Sequence, residues 1–190
     1  MSLHKAKRNA DLVDLRSAEE AQGLERWTVD RRFGIRIPAG CLNRIIKLSQ
    51  KADRVETGGI LVGRYVSTHH CAEVTDVSGA PSDSKHSVSR FLRGILGLQR
   101  WLNRLWSKNG TYYLGEWHYH PYAEAVPSSM DEDEIEDIAK SANYQCPEPL
   151  LLIVGGDPHH DWHWRAFVWT ADARLTELVD IPEHHLGQTP

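Results

Sequence analysis

The chain has too little of several features for some functional classes to survive. Its three cysteines, Cys41, Cys71 and Cys146, are scattered and form no Cys-x-x-Cys pair. This excludes a disulfide framework and a thiolate zinc site, and it fits a reducing compartment. Positive charge is not in excess, and a net charge of -4 gives no basis for a nucleic-acid partner. The opening "MSLHKAKRNADLVDLRSAEE" has no apolar stretch of the kind a signal peptide needs. The longest aliphatic run, "LLLIV" at 150–154, is far too short to cross a bilayer. No internal repeat or low-complexity linker is present. The expectation is a cytoplasmic protein with no membrane and no nucleic-acid partner.

What is present describes an ordinary soluble domain. The 190 residues are 41% apolar and 25% charged, enough for one sizeable core. Residues 1–26 read as a polar N-terminal extension, and 27–190 as one domain. "FGIRIP" alternates as a strand and stops at Pro38. "CLNRIIKLSQKA" has helical spacing, while "TGGILVGRYV" and "CAEVTDVS" read as strands. In "SRFLRGILGLQRWLNRLWSKNG" the apolar pairs at 91/92, 95/96, 101/102 and 105/106 predict a single helix ended by "KNG". This stretch carries Arg90, Arg93, Arg100, Arg104 and Lys108 with no acidic residue, a charge pattern that suits partner docking as well as a solvated face. "TYYLGEWHYHP" predicts a strand and "SSMDEDEIEDIAKSANY" a helix with an acidic first turn. "PLLLIVGG" and "WHWRAFVW" predict two final strands, the first central. The fold class is therefore α/β (α+β), a single domain with a mixed central sheet flanked by helices.

One stretch concentrates chemistry. In "GEWHYHPYAEAVPSSMD", 115–131, strand alternation puts His118 and His120 on one side, and Pro121 ends the strand. After the loop a helix starts near Ser128, with Asp131 in its first turn. Two histidines and a carboxylate form a three-ligand set that leaves the fourth position of a tetrahedral zinc open, the pattern of catalytic zinc. Each half also has a bland reading. His-x-His on a strand is often just two hydrogen-bonded histidines, and Ser-x-x-Asp is very nearly a helix capping box. Two histidines and a carboxylate also suit mononuclear iron, although the usual spacing there differs.

"HYHPYAEAVPSSMD" resembles the signature of the JAMM (JAB/MPN) metalloproteases, His-x-His-Pro followed by Ser-x-x-Asp. "VETGGILVG" resembles that family's upstream element, a glutamate beside a Gly-Gly-hydrophobic strand. The resemblance spans roughly residues 33 to 170 in element order. It implies a cytidine-deaminase-like layering and a zinc-dependent isopeptidase or peptidase cutting after the C-terminal glycine of a ubiquitin-like modifier. His118, His120 and Asp131 would then hold Zn2+, Glu56 would act as the general base, and Ser128 would donate to the oxyanion. The chain looks most like prokaryotic members encoded with ubiquitin-like conjugation systems, some of them antiphage. Its expected partners are a ubiquitin-like protein or its conjugate, with activating and conjugating enzymes of the same system. Processing of a sulfur carrier and a non-catalytic scaffold of the same fold are the alternatives.

Glu116, two residues before His118, also faces the ligand side, as a histidine partner, a substrate contact or a rival base. His159, His160 and His163 read as exposed loop histidines beside "GGDP", and His69 and His70 as solvent-facing. "DEDEIED" reads as a solvated helix face.

Overall fold

The computed structural model of the protein describes residues 23–66, 70–157 and 160–181. Residues 1–22 of the polar extension therefore lie outside the described residues, as do His69 and His159. Among the described residues, ten strands and three helices follow one another along the chain. β1 (Leu24–Trp27), β2 (Gly34–Ile37), α1 (Ala39–Ala52), β3 (Thr57–Val66) and β4 (Cys71–Val77) form the first half. The small hairpin β5 (Lys85–His86) and β6 (Phe91–Leu92) leads to α2 (Leu98–Asn109). β7 (Tyr112–Pro121), α3 (Ser129–Lys140), β8 (Leu150–Asp157), β9 (Asp161–Thr170) and β10 (Arg174–Leu178) complete it.

Eight strands make one mixed sheet in the order β1-β2-β4-β3-β7-β8-β9-β10. β7 is antiparallel to β3 and parallel to β8, so the strand of the two histidines lies inside the sheet. The sheet curls until its edge strands meet, where Trp27 and Val179 exchange backbone hydrogen bonds of 2.9 and 2.8 Å. Closure satisfies two edges that would otherwise stay open. α1 covers the concave face, packing Leu42, Ile45 and Ile46 into a core with Ile35, Leu61, Trp117, Tyr119, Leu152 and Val154. On the other face α3 packs Ile135 and Ile138 against Leu151, Ile153 and Phe167, and α2 packs Leu105 against Ile60 and Val62. β8 is buried on both faces, as its unbroken apolar run requires.

The sheet departs from expectation in two ways. β1 begins at Leu24, across the boundary that composition marks at Trp27. β10 was not foreseen at all. Both are edge strands with few buried positions, so they carry little apolar signal. The predicted long basic helix is also corrected. Its first half forms β6 and a loop, and α2 starts only at Leu98 with Gly97 in the left-handed region as its N-cap. Gly94 and Gly97 decide this. A Cβ at Gly94 would sit 2.1 Å from Asp83 Oδ1, whose carboxylate accepts the Ile95 and Leu96 amides. The apolar pairs hold helical spacing across the segment, but that anchored loop takes the first two pairs out of the helix.

A bulge gives β7 its functional face. Residues i and i+3 of a regular strand point to opposite sides, yet the Tyr113 hydroxyl donates to Glu116 Oε1 at 3.1 Å. The register slips between Leu61 and Val62 of β3, which pair with Gly115 and Tyr113, leaving one extra residue in β7. Gly115 adopts φ 149°, and a Cβ there would lie 2.0 Å from Leu150 O. Beyond the bulge, Trp117 and Tyr119 face the concave core, while Glu116, His118 and His120 face α3.

Candidate metal centre

Three elements converge at the end of β7. β3 supplies Glu56 at its entrance, β7 supplies His118 and His120, and the first turn of α3 supplies Asp131. In the β3–β7 register Thr57 pairs with Tyr119, which places Glu56 across from His120. His118 Nδ1 lies 2.5 Å from Asp131 Oδ1, and His120 Nε2 lies 3.4 Å from Asp131 Oδ2. All three side chains are buried, and one ligand atom from each falls within 4.8 Å of the others. Such a cluster of buried ionisable groups needs a partner to be tolerated, and a cation between them fits the donor set.

Asp131 carries two functions at once. Its Oδ2 accepts the Ser128 amide at 2.6 Å and the Ser128 hydroxyl at 2.6 Å, while its own amide donates to Ser128 Oγ at 3.2 Å. This is a complete capping box. The same carboxylate reaches the histidines, so the capping and ligand readings of Ser-x-x-Asp hold together. The helix start fixes the carboxylate in place, and its amides and dipole favour negative charge there.

The glycine pair of β3 makes room for the histidine. A Cβ at Gly58 would meet Trp117 O at 2.4 Å, Phe91 Cε1 at 2.7 Å and His118 Cδ2 at 2.9 Å. The hairpin β5–β6 closes the same side. Phe91 stands edge-on to His118, with ring centroids 5.6 Å apart. The Glu56 amide donates to Ser87 O at 2.8 Å, and His86 Nδ1 lies 2.8 Å from Glu56 O. Glu56 is thus held by its backbone and lines a cleft of about 530 Å³, shared with Phe91, Ser128, Asp131, Glu134 and Tyr144.

The electrostatics follow from burial and pairing. Burial alone would lower the His118 pKa, but Asp131 and Glu116 outweigh it and lift it to about 10. Burial would raise Asp131, and the two histidines and Ser128 instead hold it far below the usual carboxylate range. Glu56 is raised, first by burial and then by Asp131, with His120 and His118 pulling the other way.

Two residues of this region escape sequence reasoning. Arg93, counted above in a basic stripe, turns inward, its side chain only 4% exposed, and pairs with Glu116 at 2.7 Å. Glu134 leaves the solvated acidic face and is pushed up to about 7, first by burial and then by Glu116. Its i+3 spacing from Asp131 was the available signal. No pattern pointed to Arg93. The remaining histidines do not assemble. His160 is exposed and reaches Asp157 at 3.2 Å, His70 is exposed, and His163 is not in a loop but on β9, its Nε2 3.6 Å from Glu124. Among the described residues no three-ligand group forms there.

A mixed sheet closed around one helix, with a His-His-carboxylate cluster beside a cleft glutamate, defines a metallohydrolase-type domain. The model of prokaryotic homologs of the JAB domain matches residues 38–168, more than half of the chain. The chain belongs to this family and is a JAMM-type hydrolase, a JAB-family peptidase. It is 38% identical over 150 residues to a "CD-NTase/cGAS isopeptidase" of Enterobacter hormaechei subsp. hoffmannii (strain UCI 50), covering 77% of this chain and 83% of that protein. It is 26% identical over 151 residues to the "Probable metalloprotease y4qB" of Sinorhizobium fredii (strain NBRC 101917 / NGR234), covering 76% and 90%. The solution structure of protein DSY2949 from Desulfitobacterium hafniense shares the fold, with a TM-score of 0.51 and 21% identity over 79% of this chain and 96% of that one. No described helix is long and apolar enough to cross a membrane.

Proposed function

We propose that the protein is a zinc-dependent isopeptidase that cuts after the C-terminal glycine of a ubiquitin-like modifier and releases it from a conjugated protein. The convergence of His118, His120 and Asp131 beside Glu56 carries this reading. The relative named a CD-NTase/cGAS isopeptidase supports an isopeptide bond as the target, with a CD-NTase as part of the conjugate. His118, His120 and Asp131 would hold the zinc ion, which when bound would supply Lewis acidity toward water and the scissile carbonyl. Glu56 takes the proton of the attacking water as oxygen adds to the carbonyl carbon. It then gives that proton to the lysine nitrogen as the C–N bond breaks, leaving a carboxylic acid and an amine, and the acid's proton passes to the amine to give the carboxylate and the lysine ammonium. Ser128 is the oxyanion donor. The Ser128 backbone amide already serves Asp131 Oδ2, so the hydroxyl proton can turn to the oxyanion without leaving that oxygen bare.

The direct test is hydrolysis of a lysine-linked modifier conjugate, read by mass spectrometry. Metal-loaded protein should yield the intact modifier and the unmodified target, and chelation should stop the reaction. Conjugates left whole by metal-loaded protein would defeat the proposal.

Ser128→Ala should lower kcat about a hundredfold, the scale of one oxyanion donor, and weaken the helix cap by about 1 kcal/mol. Steady-state kinetics and a thermal melt separate the two effects. Unchanged kcat with a lowered melting temperature would leave Ser128 only its capping role.

Metal uptake should also displace a proton. With its pKa raised to about 10, His118 is protonated at neutral pH in the metal-free chain and must lose that proton to bind. Affinity should therefore climb by about tenfold per pH unit from neutral pH up to the His118 pKa. Titration calorimetry in buffers of different ionisation enthalpy counts the protons, and a count near zero at neutral pH would contradict the pairing.

A further inference from the structure

We propose that Arg93 and Glu116 form a built-in positioning device for the metal ligand His118, a role that rests on the metal reading above. Glu116 is completely buried, two residues before His118 on the same side of β7. Its two oxygens are used unequally. Oε1 accepts from Arg93 Nε at 2.8 Å and from the Tyr113 hydroxyl at 3.1 Å, and lies 2.7 Å from Arg93 Nη2. Oε2 has no hydrogen-bond partner and faces His118 Nε2, also without one, at 3.6 Å. That separation is within ion-pair range and longer than a hydrogen bond. The carboxylate is thus clamped on one oxygen and aimed with the other at the ring nitrogen opposite the cluster.

The loop after β6 is shaped to supply Arg93. Gly94 admits the Asp83 carboxylate, the Gly94 amide donates to Ser84 Oγ at 2.9 Å, and Arg93 Nη1 donates to Gly94 O at 3.1 Å. Arg93 Nη2 also donates to the Tyr144 hydroxyl at 2.8 Å, tying the clamp to the wall of the cleft. A buried ion pair is a poor source of stability, since desolvation offsets its attraction. Its position behind a ligand gives it another use. A carboxylate on the far nitrogen of a metal-binding histidine fixes the ring and its tautomer and raises its basicity. Arg93 keeps that carboxylate charged and still. Glu116 therefore acts through His118 and not on the substrate.

The test is zinc affinity by competition with a chromophoric chelator, with the visible spectrum of the cobalt-substituted protein as a second readout. Glu116→Gln should weaken zinc binding by about tenfold to a hundredfold and shift the cobalt spectrum. Arg93→Lys should lose less affinity than Arg93→Met. Because Arg93→Met strands a buried carboxylate, the double variant Arg93→Met/Glu116→Gln guards against misfolding. It should recover thermal stability without recovering zinc affinity. A folded Glu116→Gln, or the double variant, with wild-type affinity and cobalt spectrum would overturn the inference and leave the metal site standing. Wild-type protein that takes up no metal would remove the metal reading first.

Discussion

Glu56→Gln should keep its zinc and its fold and lose about two to four orders of magnitude in turnover. The amide preserves the size of the side chain and removes its basicity. Glu56 is not one of the three clustered ligands, so metal content should not change. Its backbone is pinned by Ser87 and His86 of the hairpin, which holds the side chain across from His120 whether or not it is charged. Glu116→Gln at matched zinc occupancy should cost far less, because Glu116 is completely buried behind His118 and paired with Arg93, out of reach of an attacking water. The measurement is hydrolysis of a modifier bearing a C-terminal fluorogenic amide by both variants. A dead Glu116→Gln beside an active Glu56→Gln would reverse the roles, and full activity in both would end the glutamate-assisted mechanism.

The parts of this site that were legible in the sequence are those encoded by local periodicity. His118 and His120 share a face because strands alternate, and Asp131 falls in a first turn because Ser128 caps a helix. β8 announces its central place by apolar residues on both faces. What stayed hidden depends on chain reversal and irregularity. The Gly115 bulge that turns Glu116 toward Tyr113 leaves no periodic mark, since one inserted residue looks like ordinary strand. Arg93 lay in a stretch whose apolar pairs fit a helix, and only the anchoring of its loop on Asp83 brings it inside. β1 and β10 escaped because each is fully paired on one side only, with β2 and β9, and meets the opposite edge at the single Trp27–Val179 bridge, so both bury few side chains. The acidic run of α3 shows the same limit. Its composition says solvent, and its geometry sends Glu134 inward beside Asp131.

His118→Ala should abolish metal binding and with it all turnover above background. Wild-type protein should carry about one zinc per chain by elemental analysis, because the two three-residue groups among the described residues that could hold a cation, His118–His120–Asp131 and Glu116–His118–Glu134, share His118. Taking away the imidazole leaves His120 and Asp131, a two-donor remnant that cannot complete a tetrahedral site with one open position. The loss also strips Asp131 Oδ1 of its 2.5 Å partner and leaves Glu116 Oε2 facing a void. Asp131 would then lose the nearest group that offsets its charge, and Glu116 would rely on Arg93 alone, an arrangement that costs stability. The helix cap should survive, because Ser128 bonds Asp131 through Oδ2 and not Oδ1. Circular dichroism should accordingly show a folded, less stable protein. Chelation followed by added zinc should restore the wild type and leave His118→Ala inert. Equal zinc in the two proteins, or activity in His118→Ala that tracks added metal as the wild type does, would remove His118 from the ligand set.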